Sequence, residues 1–382
     1  MRLTRRRVVV GSISLVVVLA TILVVAGWIS SSLVRSGALN VVHELSDLDM
    51  EVAAIKGGQV TLRMTSLADA DGRWAKDGIW GLSWDGGYAQ AGPIVQIDDE
   101  QVVRALTPIK GTLSVGERVE LESYAYPADP QAAVGLHFED VSYSSPLGAF
   151  PAWYLDGPRS TWAIFVHGRE ATRAEAIRLL PTFVGLGFPS LVINYRNDEG
   201  APQSPDGFYH FGETEWEDLE GAVEFVVGQG ATDIVLVGHS MGGAIVTNFL
   251  YQSTLSQLVR AVVLDSPILS FEDVIDYGAT RKGIPWPVTP IAKLFARYRF
   301  DFDWGERDYL RRSDELAAPI LLFHGDDDET VSIKTSAALA EKRPDIVTYV
   351  RVAGATHVRS WNMDKASYES ALREFLEGAA VR

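Results

Sequence analysis

The sequence predicts a mostly parallel α/β sheet domain with helices on both faces, preceded by one apolar N-terminal helix and a small β-rich domain. Three observations support this prediction. An uncharged apolar run lies near the N-terminus, short strand-like runs fill the region 39–133, and apolar strand segments alternate with amphipathic helical segments from about residue 136. The 382 residues suffice for two folded domains of roughly 100 to 200 residues each.

The composition excludes several classes of function. The chain carries 34 Lys and Arg against 50 Asp and Glu, a net charge of −16, and no basic cluster recurs after the N-terminus. Nucleic acid is therefore not expected as a partner. The absence of cysteine excludes disulfides, thiolate metal sites and a cysteine nucleophile, so covalent catalysis must use another residue.

The apolar run 8–29 follows a cluster of four arginines, Arg2, Arg5, Arg6 and Arg7. Its 22 residues would extend roughly 33 Å as a helix, close to the ~30 Å hydrocarbon thickness of a bilayer. Trp28 stands where an interfacial aromatic is expected. We predict a single transmembrane helix at 8–29, with residues 1–7 in the cytoplasm and everything after the helix outside. Without the four arginines, the exported part has a charge of −20.

A cleavable signal peptide is the alternative to a membrane anchor. Both Val24-Val25-Ala26 and Ser36-Gly37-Ala38 resemble small-residue cleavage sites. A buried core helix is disfavoured, because the run is apolar on every face and lies beside an arginine cluster.

The region 39–133 predicts a small antiparallel sheet or barrel. Its strand-like runs are separated by Gly and Asp turn signals. These runs are Gln59 to Thr65, Ile79 to Trp84, Pro93 to Ile97, Gln101 to Leu106 and Arg118 to Tyr126. No catalytic constellation occurs here. We interpret Trp74, Trp80 and Trp84 as packing residues, with a ligand platform as the alternative.

A turn-rich segment, Tyr126 to Gly135, precedes the α/β domain, which is expected over 136–380. Its continuous apolar runs predict strands buried on both faces. They are Trp162 to His167, Leu191 to Tyr195, Ile234 to Gly238, Ala261 to Asp265, Ile320 to His324 and Ile346 to Val350. Apolar residues at helical spacing predict helices at 213–227 and near the C-terminus. The aromatic-rich stretch 271–309 is a candidate cap.

The sharpest local motif is Gly238-His239-Ser240-Met241-Gly242, a G-x-S-x-G sequence directly after a predicted strand and before a predicted helix. Glycines on both sides allow a strained strand-to-helix turn that lifts the serine hydroxyl into a cleft. Ser240 is therefore the predicted nucleophile, with a plain tight turn as the alternative. The Met241 N–H, at the helix N-terminus, is the natural first oxyanion donor.

A serine nucleophile needs a base, and His357 is the best candidate among the 7 histidines. It lies in the loop between the last strand and the last helix, and such a loop reaches the carboxyl edge of a parallel sheet. His167, His239 and His324 lie at strand ends beside glycine, where we expect their role to be in the turn of the backbone. The carboxylate should follow the strand Ile320 to His324, where the candidates are Asp326, Asp327 and Asp328.

The order of the serine, acid and histidine, the nucleophile turn and the pair His167-Gly168 resemble the α/β-hydrolase superfamily over about 136–376. The likeness is greatest to serine peptidase-like and esterase-like members with a short cap. The family pattern H-G-x-x-D-x-x-V implies Asp328 as the acid. Val331 matches the pattern, whereas Ser332 stands where many members have proline. Asp326, Asp327 and Asp265 remain alternatives.

The resemblance also implies that the backbone N–H of Arg169 is the second oxyanion donor. The Arg169 side chain is expected either to pair with Glu170 or Glu175, or to contact a substrate carboxylate.

The main functional hypothesis is a membrane-anchored extracytoplasmic serine hydrolase that cleaves a small-molecule ester or a peptide and requires no cofactor. Acyl transfer by the same site is one alternative. The other is a binding module in which the β-rich domain acts and the hydrolase core is a scaffold. The intact set of Ser240, Asp328 and His357 argues against the binding module.

Overall fold

The structure is a computed structural model that describes residues 2–42, 50–65 and 75–380. Trp74 and one of the 7 histidines, His43, lie outside the described residues. The α-helices are α1 Arg2–Val34, α2 Pro130–Val134, α3 Leu180–Gly185, α4 Trp216–Gly228, α5 Met241–Gln252, α6 Phe271–Arg281, α7 Val288–Phe300, α8 Ile333–Lys342, α9 Ser360–Met363 and α10 Lys365–Ala380. The strands are β1 Met50–Lys56, β2 Gln59–Met64, β3 Trp80–Trp84, β4 Gly87–Ile97, β5 Gln101–Lys110, β6 Arg118–Glu122, β7 Glu139–Ser145, β8 Gly148–Leu155, β9 Thr161–Val166, β10 Ser190–Ile193, β11 Asp233–His239, β12 Val259–Asp265, β13 Ile320–Gly325 and β14 Val347–Val352.

Eight of these strands form one sheet in the order β14-β13-β12-β11-β9-β10-β8-β7. The six strands from β14 to β10 run parallel, and β8 and β7 add an antiparallel edge. Side chains of β9 alternate between two buried layers, since Ile164 and Val166 pack with α4 and α5 while Ala163 and Phe165 pack with α3 and α10. The predicted mostly parallel sheet with helices on both faces is confirmed.

The prediction of burial on both faces is wrong for the last strand. β14 lies at the edge of the sheet and pairs with β13. Its residues are half-buried or exposed. An edge strand is covered less completely than a central one, and the apolar run Ile346 to Val350 does not reveal that position.

The N-terminal β-rich domain is a closed barrel with the strand order β1-β2-β5-β4-β3-β6. Trp80 and Trp84 lie in its core, which agrees with their interpretation as packing residues. The sequence prediction missed β1, whose register shifts between Val52 and Ala54 and so interrupts the regular alternation of a strand. The turn-rich segment after the barrel contains α2, which Asp129 caps.

Helix α1 continues through one π-helical turn, Arg35–Leu39. Within the described residues, Ser12–Leu39 is long and apolar enough to cross a membrane, with a mean hydropathy of 2.5. Residues 12–22 are exposed, whereas Gly27, Ser31 and Leu39 are buried against the rest of the chain. The end of this helix therefore packs on the folded domain while most of its apolar surface remains uncovered.

Candidate active site

Ser240 lies at the tight turn between β11 and α5. Its backbone adopts φ 50° and ψ −116°, a region that non-glycine residues occupy only under strain. A Cβ on Gly242 would overlap the Val166 carbonyl oxygen, and one on Gly238 would lie 2.8 Å from the Gly242 oxygen. The two motif glycines are therefore required by close packing of α5 against β9 and β11, and the turn presents the serine side chain at the carboxyl edge of the sheet.

The structure brings the three predicted catalytic side chains together in one hydrogen-bonded chain. Ser240 Oγ lies 2.8 Å from His357 Nε2. On the other side of the ring, His357 Nδ1 lies 2.8 Å from Asp328 Oδ2. With a neutral imidazole protonated at Nδ1, the ring donates to the carboxylate and accepts the serine hydroxyl proton, which is the geometry a general base needs.

Asp328 is held rigidly in its loop. Its Oδ1 accepts the backbone N–H groups of Thr330 and Val331, both at 2.8 Å, and its Oδ2 lies 3.2 Å from His324 Nε2. Burial alone would raise the pKa of the Asp328 carboxyl, but the facing His357 and the hydrogen bonds from His324 and His357 hold that pKa far below its usual range. The carboxylate therefore stays ionised beside His357.

The other carboxylates considered from the sequence have different partners. Asp326 accepts the Gly354 N–H at 2.6 Å, and Asp327 is exposed. Asp265 lies 3.0 Å from Ser360 Oγ, and burial raises its pKa to about 6.

The loop after β9 lies directly against the nucleophile. A Cβ on Gly168 would stand 3.1 Å from Ser240 Cβ. The Gly168 N–H donates to Glu175 Oε2 at 2.8 Å, which leaves the next amide, that of Arg169, as the predicted donor in this loop. Met241 is the first residue of α5, so its N–H has no partner within the helix. The Arg169 side chain pairs with Glu170 at 3.0 Å, as one of the sequence interpretations expected.

Sequence reasoning missed a set of buried polar residues that support the site. Glu175 fixes the Gly168 amide, and His324 bridges Asp328 and Ser336. His167 lies 2.9 Å from Asp198. His167 and His324, for which we expected a role in backbone turning, also have buried, hydrogen-bonded side chains. The repeated His-Gly pair at the ends of β9 and β13 is the signal that could have indicated them.

The cap comprises α6 and α7 with the segments that flank them. Five of its aromatic residues form two groups. Phe271, Phe302 and Trp304 pack together beneath the helices, with ring centroids 4.7 to 5.8 Å apart. Trp286 and Tyr298 are 80% and 78% exposed. Packing thus explains the first group and leaves the second without an internal role.

Comparison with known proteins places this site in a recognised context. A family model described as the alpha/beta hydrolase family matches residues 157–377, and a domain of unknown function matches residues 51–122, within the barrel. The uncharacterized protein YqkD of Bacillus subtilis is 25% identical over 223 residues, which are 56% of this chain and 70% of YqkD. The uncharacterized protein Rv2307c of Mycobacterium tuberculosis is 26% identical over 235 residues, 60% of this chain and 75% of Rv2307c.

Among solved structures, the Pyrococcus furiosus esterase Pf2001 superposes with a TM-score of 0.53 at 18% identity, over 66% of this chain and 94% of the esterase. At 18% identity, this structural similarity shows only that the two proteins share a fold. The family model covers more than half of the chain, including Ser240, Asp328 and His357. The chain therefore belongs to the α/β-hydrolase family.

Proposed function

We propose that the protein is a membrane-anchored serine hydrolase that cleaves an ester or amide outside the cytoplasm through an acyl-enzyme. The observation that carries this proposal is the continuous chain from Ser240 through His357 to Asp328, with 2.8 Å at each step, on a strained turn. A hydrolase fold does not need these three groups for stability, whereas nucleophilic catalysis needs them in this order.

In the first half-reaction Ser240 Oγ attacks the acyl carbonyl carbon and passes its proton to His357 Nε2. The negative charge on the carbonyl oxygen is stabilised by the amides of Met241 and Arg169. The tetrahedral intermediate collapses as the bond to the alcohol or amine breaks, and His357 protonates that leaving group. Asp328 stabilises the imidazolium between these two transfers.

In the second half-reaction water replaces the leaving group. His357 removes a proton from the water, which attacks the acyl carbon to form a second tetrahedral intermediate. The bond between Ser240 Oγ and the acyl carbon then breaks, His357 returns the proton to Ser240 Oγ, and the acid is released. An alcohol or amine in place of water would give acyl transfer on the same site.

The catalytic proposal is tested with the full-length protein in detergent, given p-nitrophenyl esters and aminoacyl-naphthylamides. We expect Ser240→Ala to lower turnover by on the order of 10³-fold or more. Ser256→Ala is the matched control, because Ser256 lies before β12, at the opposite end of the parallel strands from the catalytic loops. Turnover by Ser240→Ala equal to that of the wild type would contradict the proposal, and failure of both proteins to react with any substrate would favour the binding module.

Two features support membrane anchoring with the catalytic domain outside. Arginines precede the apolar run, and the end of α1 packs on the folded domain, as expected for a segment retained in the mature protein. A reporter fused after Arg382 should be active only outside the cytoplasm, and the full-length protein should stay in the membrane fraction. A reporter active only inside would contradict the orientation, and a mature N-terminus after Ala26 or Ala38 would replace the anchor by a cleaved signal.

A further inference from the structure

The end of the apolar N-terminal helix docks on helix α7 of the cap. Gly27 permits this contact, because a Cβ at this position would overlap Ile291 Cγ2. Next to it, the rings of Trp28 and Phe295 meet edge to face with centroids 5.4 Å apart. The Arg299 guanidinium lies 3.8 Å from the centre of the Trp28 ring and donates to Ser31 Oγ at 2.6 Å. Helix and cap are therefore joined by both apolar and polar contacts.

The surface around this junction is apolar and uncovered. On the cap, Trp286, Tyr298 and Leu294 are 80%, 78% and 53% exposed. On α1, the side chains of Val25 and Ile29 near the junction are about half exposed. A helix that crosses a bilayer would carry the cap to the level of Trp28, where an amphipathic surface with exposed aromatics contacts the membrane interface.

A cavity of about 230 Å³ lies between the end of α1 and the cap. Most of its wall residues are apolar or small, among them Leu33, Val34 and Ala38 on one side and Val274, Ile275 and Gly278 on the other. Ser30, Lys282 and Thr289 add polar groups to the lining. This volume is below the roughly 300 to 1,000 Å³ of a typical ligand pocket. The cavity therefore suits part of one extended hydrocarbon chain better than a bulky group.

Two contacts link the surroundings of this cavity to the catalytic loops. The carbonyl of the wall residue Ala38 accepts a hydrogen bond from Arg169 Nη1 at 3.2 Å. Arg169 belongs to the loop that faces Ser240. Tyr277 of α6, which precedes the wall residue Gly278, donates to the Asp328 carbonyl at 2.9 Å. The cavity is thus linked to the loops of Ser240 and Asp328 through Arg169 and Tyr277, and one of its walls comes from the end of α1.

We propose that this cavity holds the acyl chain of a membrane glycerolipid ester, which reaches Ser240 from the bilayer along α1. This inference rests on the proposed function and names its substrate class. The occupant is a lipid because the cavity is continuous with the exposed apolar face of a helix that is itself long enough to cross a membrane. The apolar residues of its walls stabilise methylene groups.

Filling the cavity tests the proposal. A Cβ on Gly278 meets no heavy atom within 4 Å, so leucine at this position projects into open space. Gly37, on the opposite wall, meets the same condition and provides an independent second variant. Gly378→Leu is the matched control, since Gly378 lies in α10, away from the cap, and a Cβ there also meets no atom within 4 Å.

The full-length protein is reconstituted in phosphatidylcholine vesicles and given p-nitrophenyl butyrate or p-nitrophenyl palmitate. We expect Gly278→Leu and Gly37→Leu to lower the ratio of kcat/KM for palmitate over butyrate by about tenfold or more, because leucine displaces buried methylene groups of the long chain. The control variant should keep the wild-type ratio. Vesicles containing diacylglycerol and phosphatidylglycerol should release fatty acid in a reaction that requires Ser240 and is slowed by Gly278→Leu.

The outcomes separate this inference from the proposed function. Butyrate turnover that requires Ser240, combined with an unchanged chain-length ratio in both cavity variants, would overturn the acyl-chain site and leave the hydrolase intact. Absence of fatty acid release from the lipid vesicles would overturn the assignment to a membrane glycerolipid. Absence of any turnover that requires Ser240 would overturn the proposed function and this inference with it.

Discussion

Replacing Asp328 by asparagine removes the negative charge that faces His357 while keeping a side chain of nearly the same shape. The Asp328 side chain is fully buried, and its Oδ2 lies 2.8 Å from His357 Nδ1. Its Oδ1 would still accept the Thr330 and Val331 amides in the variant, so the loop should keep its conformation. The substitution therefore changes the electrostatics of the histidine more than the fold.

The expected loss follows from the burial of this pair. Removing one partner of a buried ion pair costs about 3 to 5 kcal/mol, and here the pair is fully charged only when His357 carries the serine proton. We therefore expect kcat/KM to fall by roughly 10² to 10⁴-fold in Asp328→Asn. Steady-state hydrolysis of p-nitrophenyl butyrate measures it, with circular dichroism and thermal unfolding as checks of folding.

Two neighbouring aspartates provide matched controls. Asp327 is exposed, and Asp326 bonds the Gly354 amide rather than His357. Asp326→Asn and Asp327→Asn should each lower kcat/KM by less than about 5-fold, the equivalent of the ~1 kcal/mol that an exposed charge contributes at most. A loss in either control equal to that in a folded Asp328→Asn would refute the reasoning, and a larger loss in Asp265→Asn would place the acid after β12 instead.

Two further predictions concern the turn that holds Ser240. Gly242→Ala should lower the free energy of unfolding by about 1 to 3 kcal/mol, because its Cβ would overlap the Val166 carbonyl. Gly228→Ala is the control and should not destabilise the protein, since a Cβ at Gly228 meets no atom within 4 Å. Equal denaturation midpoints for Gly242→Ala and the wild type would contradict this prediction. Burial lowers the pKa of His239 to about 4 from 6.5. Between about pH 6.5 and pH 4, His239 is therefore protonated in the unfolded chain and neutral in the folded protein. The free energy of unfolding of the wild type consequently decreases as the pH falls through this window. Between pH 7 and pH 4, the free energy of unfolding measured in urea should decrease by up to about 3 kcal/mol less in His239→Gln than in the wild type. Equal decreases in the two proteins would show that His239 is not the cause.

The sequence carries strong information about the central strands and little about contacts between distant segments. Continuous apolar runs such as Ile234 to Gly238 predict buried parallel strands, because both of their faces must be apolar. A register shift interrupts the alternation of apolar and polar residues in β1, so the sequence does not indicate a strand there. The apolar run Ile346 to Val350 overlaps β14, although this strand lies at the edge of the sheet and is only partly buried. Local regularity identifies an element, whereas its position within the sheet depends on the neighbours it acquires.

The same distinction applies to the candidate site. Ser240 is indicated by a five-residue motif, because the strained turn imposes its glycines locally. The roles of Glu175 and His324 depend on hydrogen bonds to Gly168 and Asp328, which a single sequence does not reveal. The contact between Arg299 and Ser31 joins residues 268 positions apart, so the docking of the end of α1 on the cap emerges only from the fold.

The central claim is that the Ser240 hydroxyl is the nucleophile, and mass spectrometry of the full-length protein after treatment with a fluorophosphonate tests it most directly. The account predicts one covalent adduct, on the peptide that contains Ser240, with a labelling rate that falls sharply in His357→Gln because the base is missing. An adduct on another residue, or labelling at the same rate in Ser240→Ala, would contradict the claim.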